Sequence, residues 1–319
     1  MERAVQAREL LDAVKLSSQS GGRCWSRRGV VRAQSRIIMA ITALLISWDP
    51  MSVALAELPK PPIVTAPRLY ILDCGTITND RPERAGLTRE EVKYVDFAVT
   101  CYLIVHPKGI LLWDTGLPDS IVGRPLYENM LGHYGFLKTN TLVGQLADLG
   151  YRPDQINYLA MSHLHVDHSG NANLFSNSTW LVAKPEYDSV FSSSAQLSGF
   201  IGYENLNRLK DARKILVGPD YDVFGDGAII IKQAFGHTAG HSVLAVHLVH
   251  TGWVLLAGDL YHYPEERALH RIGAAEAKTS APAARAAIET WIKDNNSQIW
   301  LSHDMEFFKN SRHSPAFYE

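Results

Sequence analysis

The sequence predicts a mixed α/β domain in which two β-sheets are covered by helices. Three observations carry this expectation: short β-branched or aliphatic runs outnumber helical patterns, the runs occur in hairpin-like pairs, and amphipathic helical stretches recur between them. The 319 residues are 46% hydrophobic and 20% charged, a globular composition that excludes disorder as the main state. No repeat of fixed period interrupts this reading.

The first stretch does not read as part of the fold. Arg23, Arg27, Arg28, Arg32 and Arg36 precede an uncharged run from Ile37 to Trp48, and the small-residue pattern Ala54-Leu55-Ala56 follows. That is the order of an export signal. The apolar run is shorter than the roughly 18 residues a permanent anchor needs, so residues 1–56 read as removable and no lasting membrane anchor is expected. Ser26-Arg27-Arg28-Gly29-Val30-Val31-Arg32 resembles the twin-arginine export motif, with Val where that motif usually has Phe and Leu. An ordinary secretory signal with incidental arginines, or a start codon assigned too far upstream, is the alternative. Either export route predicts a periplasmic or secreted protein.

Residues 57–67 are proline-rich and read as an extended lead-in, so the domain proper is expected over 68–319. Strands are predicted at Leu69–Cys74, Phe97–His106 and Ile110–Asp114 from their apolar runs and flanking Gly, Pro and Asp. Leu142, Val143, Leu146 and Leu149 have helical spacing and stop at Gly150, a residue suited to end a helix. Further strands are predicted at 156–162, 180–183, 214–217, 228–234, 242–249 and 253–257. Ala284, Ile288, Trp291 and Ile292 place a last helix at 283–293, and a final strand follows at 298–302. The aromatic, poorly periodic stretches at 118–140 and 189–208 are readable as flaps over a site or as ordinary core.

Charge and cysteine content narrow the function. Lys plus Arg number 31 against 33 Asp plus Glu, which leaves no basic excess to hold a nucleic-acid backbone. Without residues 1–56 the balance is 23 to 29, a mildly acidic domain. Three cysteines are too few for a disulfide scaffold; Cys74 and Cys101 could pair in an oxidising compartment if their strands are neighbours. Histidine is abundant instead. All thirteen lie beyond residue 56.

Met161-Ser162-His163-Leu164-His165-Val166-Asp167-His168-Ser169-Gly170-Asn171 places three imidazoles and a carboxylate within six residues at a predicted strand end. At this composition such a pattern arises by chance roughly once in a thousand chains. In an extended strand residues two apart share a face, so His163 and His165 can ligate one ion, while Asp167 and His168 diverge after the turn toward a second. The N/O donor mix suits a borderline-soft divalent ion, zinc first among them. Gly236-His237-Thr238-Ala239-Gly240-His241, Gly258-Asp259 and Ser302-His303-Asp304 each place a further ligand at a strand-to-loop junction. His106, His133, His247, His250, His270 and His313 lie outside these motifs and read as surface or core residues.

With these segments in this order, the chain resembles the metallo-β-lactamase-fold superfamily across residues 68–319. The resemblance implies an αββα sandwich with two divalent metal ions, zinc by the donor set, at one edge of its sheets. It implies that His163, His165 and His237 hold the first ion, that Asp167, His168 and His303 hold the second, and that Asp259 bridges them. Asp114, in Leu112-Trp113-Asp114-Thr115-Gly116, matches an aspartate that orients a ligating imidazole, and His241 matches a structural histidine.

The implied chemistry is metal-assisted hydrolysis of a small-molecule substrate, in which Asp167 and Asp259 are the catalytic carboxylates and Asp167 passes a proton to the leaving oxygen. Antibiotic-hydrolysing members commonly carry Cys where this chain has Asp259, so the lactonase, glyoxalase and phosphotriesterase branches are the better match. Among these the chain most resembles the N-acyl-homoserine lactonases. It departs from many of them in having Val166 in the first motif and His262 where a lactone-contacting Tyr is common. Val166, Tyr261 and His262 are thus the expected substrate contacts. The alternatives are an organophosphate or aryl-ester hydrolase, a glyoxalase II-like thioesterase, and a non-enzymatic metal-binding domain that retains only the fold.

Overall fold

A computed structural model describes residues 58–79, 81–124, 127–128, 134–191 and 203–319. The expected export segment, 1–56, lies outside the described residues, as do 125–126, 129–133 and 192–202 of the two aromatic stretches.

The first sheet opens with three antiparallel strands, β1 (Arg68–Asn79), β2 (Phe97–His106) and β3 (Gly109–Trp113). The short hairpin β4 (Tyr127–Glu128) and β5 (Tyr134–Leu137) extends it beside β1. Helix α1 (Leu142–Asp148) then crosses to β6 (Tyr158–Ala160). The one-turn helix α2 (Val166–Ser169) leads to β7 (Thr179–Ala183), and helices α3 (Lys184–Phe191) and α4 (Tyr203–Leu206) to β8 (Lys214–Val217). These last strands pair parallel, as helical crossovers require. The order is β4-β5-β1-β2-β3-β6-β7-β8.

The second sheet holds β9 (Asp220–Asp222), β10 (Ile229–Gln233), β11 (Ser242–Leu248) and β12 (Gly252–Leu256), joined antiparallel. Helices α5 (Pro264–Ala268) and α6 (Ala281–Asp294) precede β13 (Gln298–Trp300), which pairs parallel with β12, and α7 (Met305–Asn310) follows. Among the described residues no helix is long and apolar enough to cross a membrane.

Strand alternation builds the layers. Leu244 and Val246 of β11 face the first sheet, where they meet Ile71, Tyr102, Ile104 and Trp113, while Val243 and Ala245 face Ile288 and Ile292 of α6. On the outer face of the first sheet, Leu142 and Leu146 of α1 cover Leu72, Leu103 and Leu112. Each such aliphatic side chain, fully buried, contributes about 1.5–3 kcal/mol. The predicted sandwich of two mixed sheets flanked by helices is the observed one.

Differences in element ends have local causes. β1 runs on to Asn79 through a register shift after Asp73, because Gly75 is a bulge and not a boundary. The strand expected at 156–162 is confined to Tyr158–Ala160, since the Ser162 amide is claimed by the Asp114 carboxylate and not by a ladder partner. Gly150, at φ +85°, ends α1 as expected, and the Pro59 carbonyl of the lead-in sits where any side chain would be. Cys74 and Cys101 lie on the neighbouring strands β1 and β2 and form a disulfide with a Cα–Cα distance of 5.9 Å.

Phe136, Phe191 and Tyr203 of the two irregular stretches are partly buried against the core. Phe136 packs against the outer core of the first sheet, and Phe191 and Tyr203 stack toward Tyr187 and Trp180. The reading as flaps is not supported at these positions.

Candidate metal centre

Five junctions at one edge of the sandwich bring the motif residues together. β3 ends at Asp114, β6 runs into Ser162–His168, the β10–β11 turn carries His237, the turn after β12 carries Asp259, and His303 follows β13. Asp114 sits at φ +60°, a left-handed conformation that turns its carboxylate back beneath the loop after β6. There it accepts from the Ser162 amide at 2.7 Å, from the Ser162 hydroxyl at 3.1 Å and from His168 Nδ1 at 3.0 Å.

The ligand atoms form two groups: His163, His165, His237 and Asp259, and Asp167, His168 and His303, the atoms of each lying within 4.8 Å of one another. Asp259 joins the groups through its two oxygens. Its Oδ2 is 3.3 Å from His237 Nε2 and 3.7 Å from His163 Nε2. Its Oδ1 is 3.0 Å from His168 Nε2 and 3.1 Å from His303 Nε2. Asp167 Oδ2 lies 3.4 Å from both His168 Nε2 and His303 Nε2.

The outward nitrogens of four rings are occupied, which leaves the inward ones for a ligand. His163 Nδ1 meets the Ser162 hydroxyl at 3.1 Å, His303 Nδ1 donates to the Ala98 carbonyl at 2.8 Å, and His237 Nδ1 donates to Glu276 at 2.7 Å. With the His168–Asp114 contact, these set each ring's tautomer and orientation. His241 is structural: its Nδ1 donates to the Ala234 carbonyl and its Nε2 accepts from the Asp259 amide, both at 3.0 Å.

Charge is shared unevenly across the cluster: burial would lower His168, but the Asp259, Asp167 and Asp114 carboxylates outweigh it and hold that imidazole well above the ordinary histidine value, so an ion would have to displace its proton. Burial would raise the Asp259 carboxyl, but the imidazoles of His303, His168, His163 and His237 outweigh it and hold the group well below the usual carboxylate range. Burial holds His163 well below the ordinary histidine value and takes His165 down to about 4. Neutral imidazoles and ionised carboxylates are the forms that bind metal. One further feature tests the fit. His168 Nε2 and Asp259 Oδ1 are buried and 3.0 Å apart, yet neither makes a hydrogen bond of acceptable geometry. A polar pair left so is costly unless a ligand shared between them completes it, as an ion would. The residues fit a divalent metal pair.

The expected substrate contacts divide. His262 faces the cluster, with Nε2 3.5 Å from Asp259 Oδ2, and Val166 is half-buried at the start of α2. Tyr261 does not face it. In the extended segment after Asp259, neighbouring side chains point to opposite sides, so the Tyr261 hydroxyl donates to Glu289 under α6.

Four residues of the site carry no motif. Glu186, buried, accepts from the Leu164 amide, the Gly240 amide and the Thr238 hydroxyl, tying the first motif to the His237 turn. Glu276, Glu266 and Arg285 lie behind His237 and His262. His237, His262 and Glu276 form a third grouping of possible ligands, but Glu276 there is the acceptor that orients His237. Only Arg285 left a trace in the sequence: it interrupts the buried stripe Ala281, Ile288 and Ile292 of α6.

Comparison with known proteins agrees with this geometry. The sequence profile described as the metallo-beta-lactamase superfamily matches residues 70–294. The N-acyl homoserine lactonase AttM of Rhizobium radiobacter is 29% identical over 269 residues, spanning 79% of this chain and 98% of that protein. An N-acyl homoserine lactonase of Bacillus cereus is 28% identical over 261 residues, spanning 80% of this chain and all of the relative. A solved N-acyl homoserine lactone hydrolase, with the product N-hexanoyl-L-homoserine at its catalytic metal centre, superposes with a TM-score of 0.67 at 26% identity, covering 80% of this chain and all of that one.

Proposed function

This chain belongs to the metallo-beta-lactamase superfamily, and from that premise we propose that it is a dinuclear zinc hydrolase that opens the lactone ring of N-acyl-homoserine lactones. The observation that carries the reading is the division of the Asp259 carboxylate between two histidine groups. Likeness to lactonases along nearly their whole length supports the substrate class.

His163, His165 and His237 would hold one ion, Asp167, His168 and His303 the other, and Asp259 would bridge. Two divalent ions supply Lewis acidity toward a water and an ester carbonyl. The chain's own residues do the rest. The outer contacts of His163, His168, His237 and His303 keep their Nε2 atoms directed inward, so no reorientation accompanies the reaction. Asp167, bordering the second group with a partly exposed carboxylate, takes the proton released as water adds to the carbonyl carbon. It returns that proton to the ring oxygen as the acyl carbon–ring oxygen bond breaks, leaving the acyl-homoserine acid. His262 lies beside Asp259, where it would contact the lactone.

Metal analysis should find two divalent ions per chain, and Asp259→Ala should lose both ions and hydrolysis. A metal-free protein under replete conditions would overturn the dinuclear reading, and two bound ions without hydrolysis of any ester would favour the non-enzymatic metal-binding domain. At fixed metal content, acyl-homoserine lactones of short and long chain should be turned over faster than a paraoxon-type triester, a glutathione thioester or a β-lactam. Triester turnover much above lactone turnover would transfer the assignment to organophosphate hydrolysis.

The same proposal includes export. The disulfide between Cys74 and Cys101 supports an oxidising compartment, and the leader is expected to be cut after Ala56. N-terminal sequencing of protein from its native host checks this: a chain starting at Glu57 is expected, and an intact Met1 in the cytoplasm would refute it. Replacing Arg27 and Arg28 by Lys stops only the twin-arginine route.

A further inference from the structure

His237 differs from the other inward-facing histidines in how it is held. His163 and His168 contact Ser162 of their own loop and His303 contacts the backbone of β2, whereas His237 rests on Glu276, a residue of the segment between α5 and α6 that belongs to neither sheet. A carboxylate on such a turn orients a ring only if it is itself held.

Arg285 supplies that hold. It is buried on the inner face of α6, and one terminal nitrogen, Nη2, donates to Glu276 Oε2 at 2.9 Å and to Glu266 Oε1 at 3.1 Å. Nη1 donates to the Arg271 carbonyl at 2.8 Å, which ties down the chain between the two acids. The guanidinium lies 4.5 Å from the centre of the Tyr261 ring, so its plane is also fixed. Each acid continues to a histidine of the site. Glu276 Oε1 accepts from His237 Nδ1, while Glu266 Oε2 accepts from the backbone amides of His262 and Tyr263 and lies 3.4 Å from His262 Nδ1. A planar fork with several donors can serve two carboxylates and a carbonyl at once; a lysine ammonium, a single compact charge, holds less of this geometry.

We propose that Arg285 is a positioning residue of the metal centre: acting through Glu276 on His237, and through Glu266 on the backbone at His262, it fixes the side of the first metal group that faces the second sheet's outer helix. The inference rests on the assignment of His237 as a ligand in the proposed function, and not on which ester is cleaved. It explains why a charged residue occupies an otherwise apolar helix stripe, and why Tyr261 faces α6 and not the cluster.

The test reads metal binding, not turnover. Metal-stripped wild type, Arg285→Lys, Glu276→Ala and the double variant are titrated with zinc in competition with a chelator. A parallel cobalt titration reports the two sites by their absorption, and circular dichroism of the apo proteins reports folding. Each single substitution should weaken one of the two ions about 10- to 100-fold and leave the other unchanged. The double variant should be no weaker than the weaker single one, because both substitutions cut the same chain of contacts. Unchanged affinity in Glu276→Ala, equal weakening of both ions, or losses that multiply in the double variant would each overturn the proposal. If Arg285→Lys does not fold, unchanged affinity in Glu276→Ala still overturns the proposal, since Glu276 is the acid that joins Arg285 to His237 Nδ1. A wild type that binds no metal would instead overturn the proposed function.

Discussion

Two carboxylate–histidine pairs hold the candidate centre, and they are built differently. Asp114 is wholly buried at the end of β3 and accepts from two groups of Ser162 and from His168, all within the layer where the sheets meet. Glu276 is partly exposed on a turn, and its grip on His237 depends on an arginine from the outer helix. The first pair therefore doubles as part of the core. The second serves the site alone. A brace made by the sheet ends is inseparable from folding, whereas one made outside them can be weakened while the fold stands.

Asp114→Ala is the largest expected break in this comparison. It leaves the Ser162 amide and His168 without their buried partner, so it should cost about 3–5 kcal/mol of stability. Loss of metal from the His168 group should accompany that drop, and denaturant unfolding of the apo protein together with metal analysis checks both. Retention of wild-type stability would show that the pair is not part of the core.

Removing the disulfide sharpens the same contrast. Gly116, at φ +65°, packs directly on Cys74 and Cys101, and the Leu117 amide donates to the Cys74 carbonyl, so the disulfide lies under the loop that carries Asp114. With a sequence separation of 27 between the cysteines, the paired Cys74→Ser and Cys101→Ser variant should lose about 3.5 kcal/mol by the chain-entropy argument. Metal affinity at the His168 group should fall while that of the His237 group holds. Equal loss at both groups in a chelator titration would remove the distinction. The smallest effect belongs to Glu276→Ala, which should change the stability of the apo protein by under about 1 kcal/mol because its turn is exposed and Arg285 keeps Glu266.

Legibility follows the same line. Every motif histidine and aspartate of the two metal groups was readable because each stands within a few residues of a strand end, where a short ordered pattern carries the information. His165 and Asp167 differ from the strand-based picture only in that the chain leaves β6 at Ala160, earlier than alternation suggested, because Asp114 takes the Ser162 amide. Glu186 was not readable. It lies in a helix without a distinguishing pattern and acts on Leu164, Thr238 and Gly240, segments far from it in the chain. The direction of the Tyr261 side chain was not readable either, since a neighbour in sequence to a site residue faces the opposite way in an extended segment.

Periodicity, turn residues and the spacing of ligating side chains are local, so the sequence alone determined the two-sheet class, the existence of the metal motifs and the residue types that line them. Which nitrogen of each histidine faces inward, how Asp259 divides its oxygens, whether Cys74 meets Cys101, and that Arg285 stands behind His237 were decided only by tertiary structure. Those features depend on ångström distances between segments up to about 200 residues apart, as in the His303 contact with Ala98. Such distances arise when burial of the sheet faces brings the strand ends to one edge, a collective outcome that no short window of sequence contains.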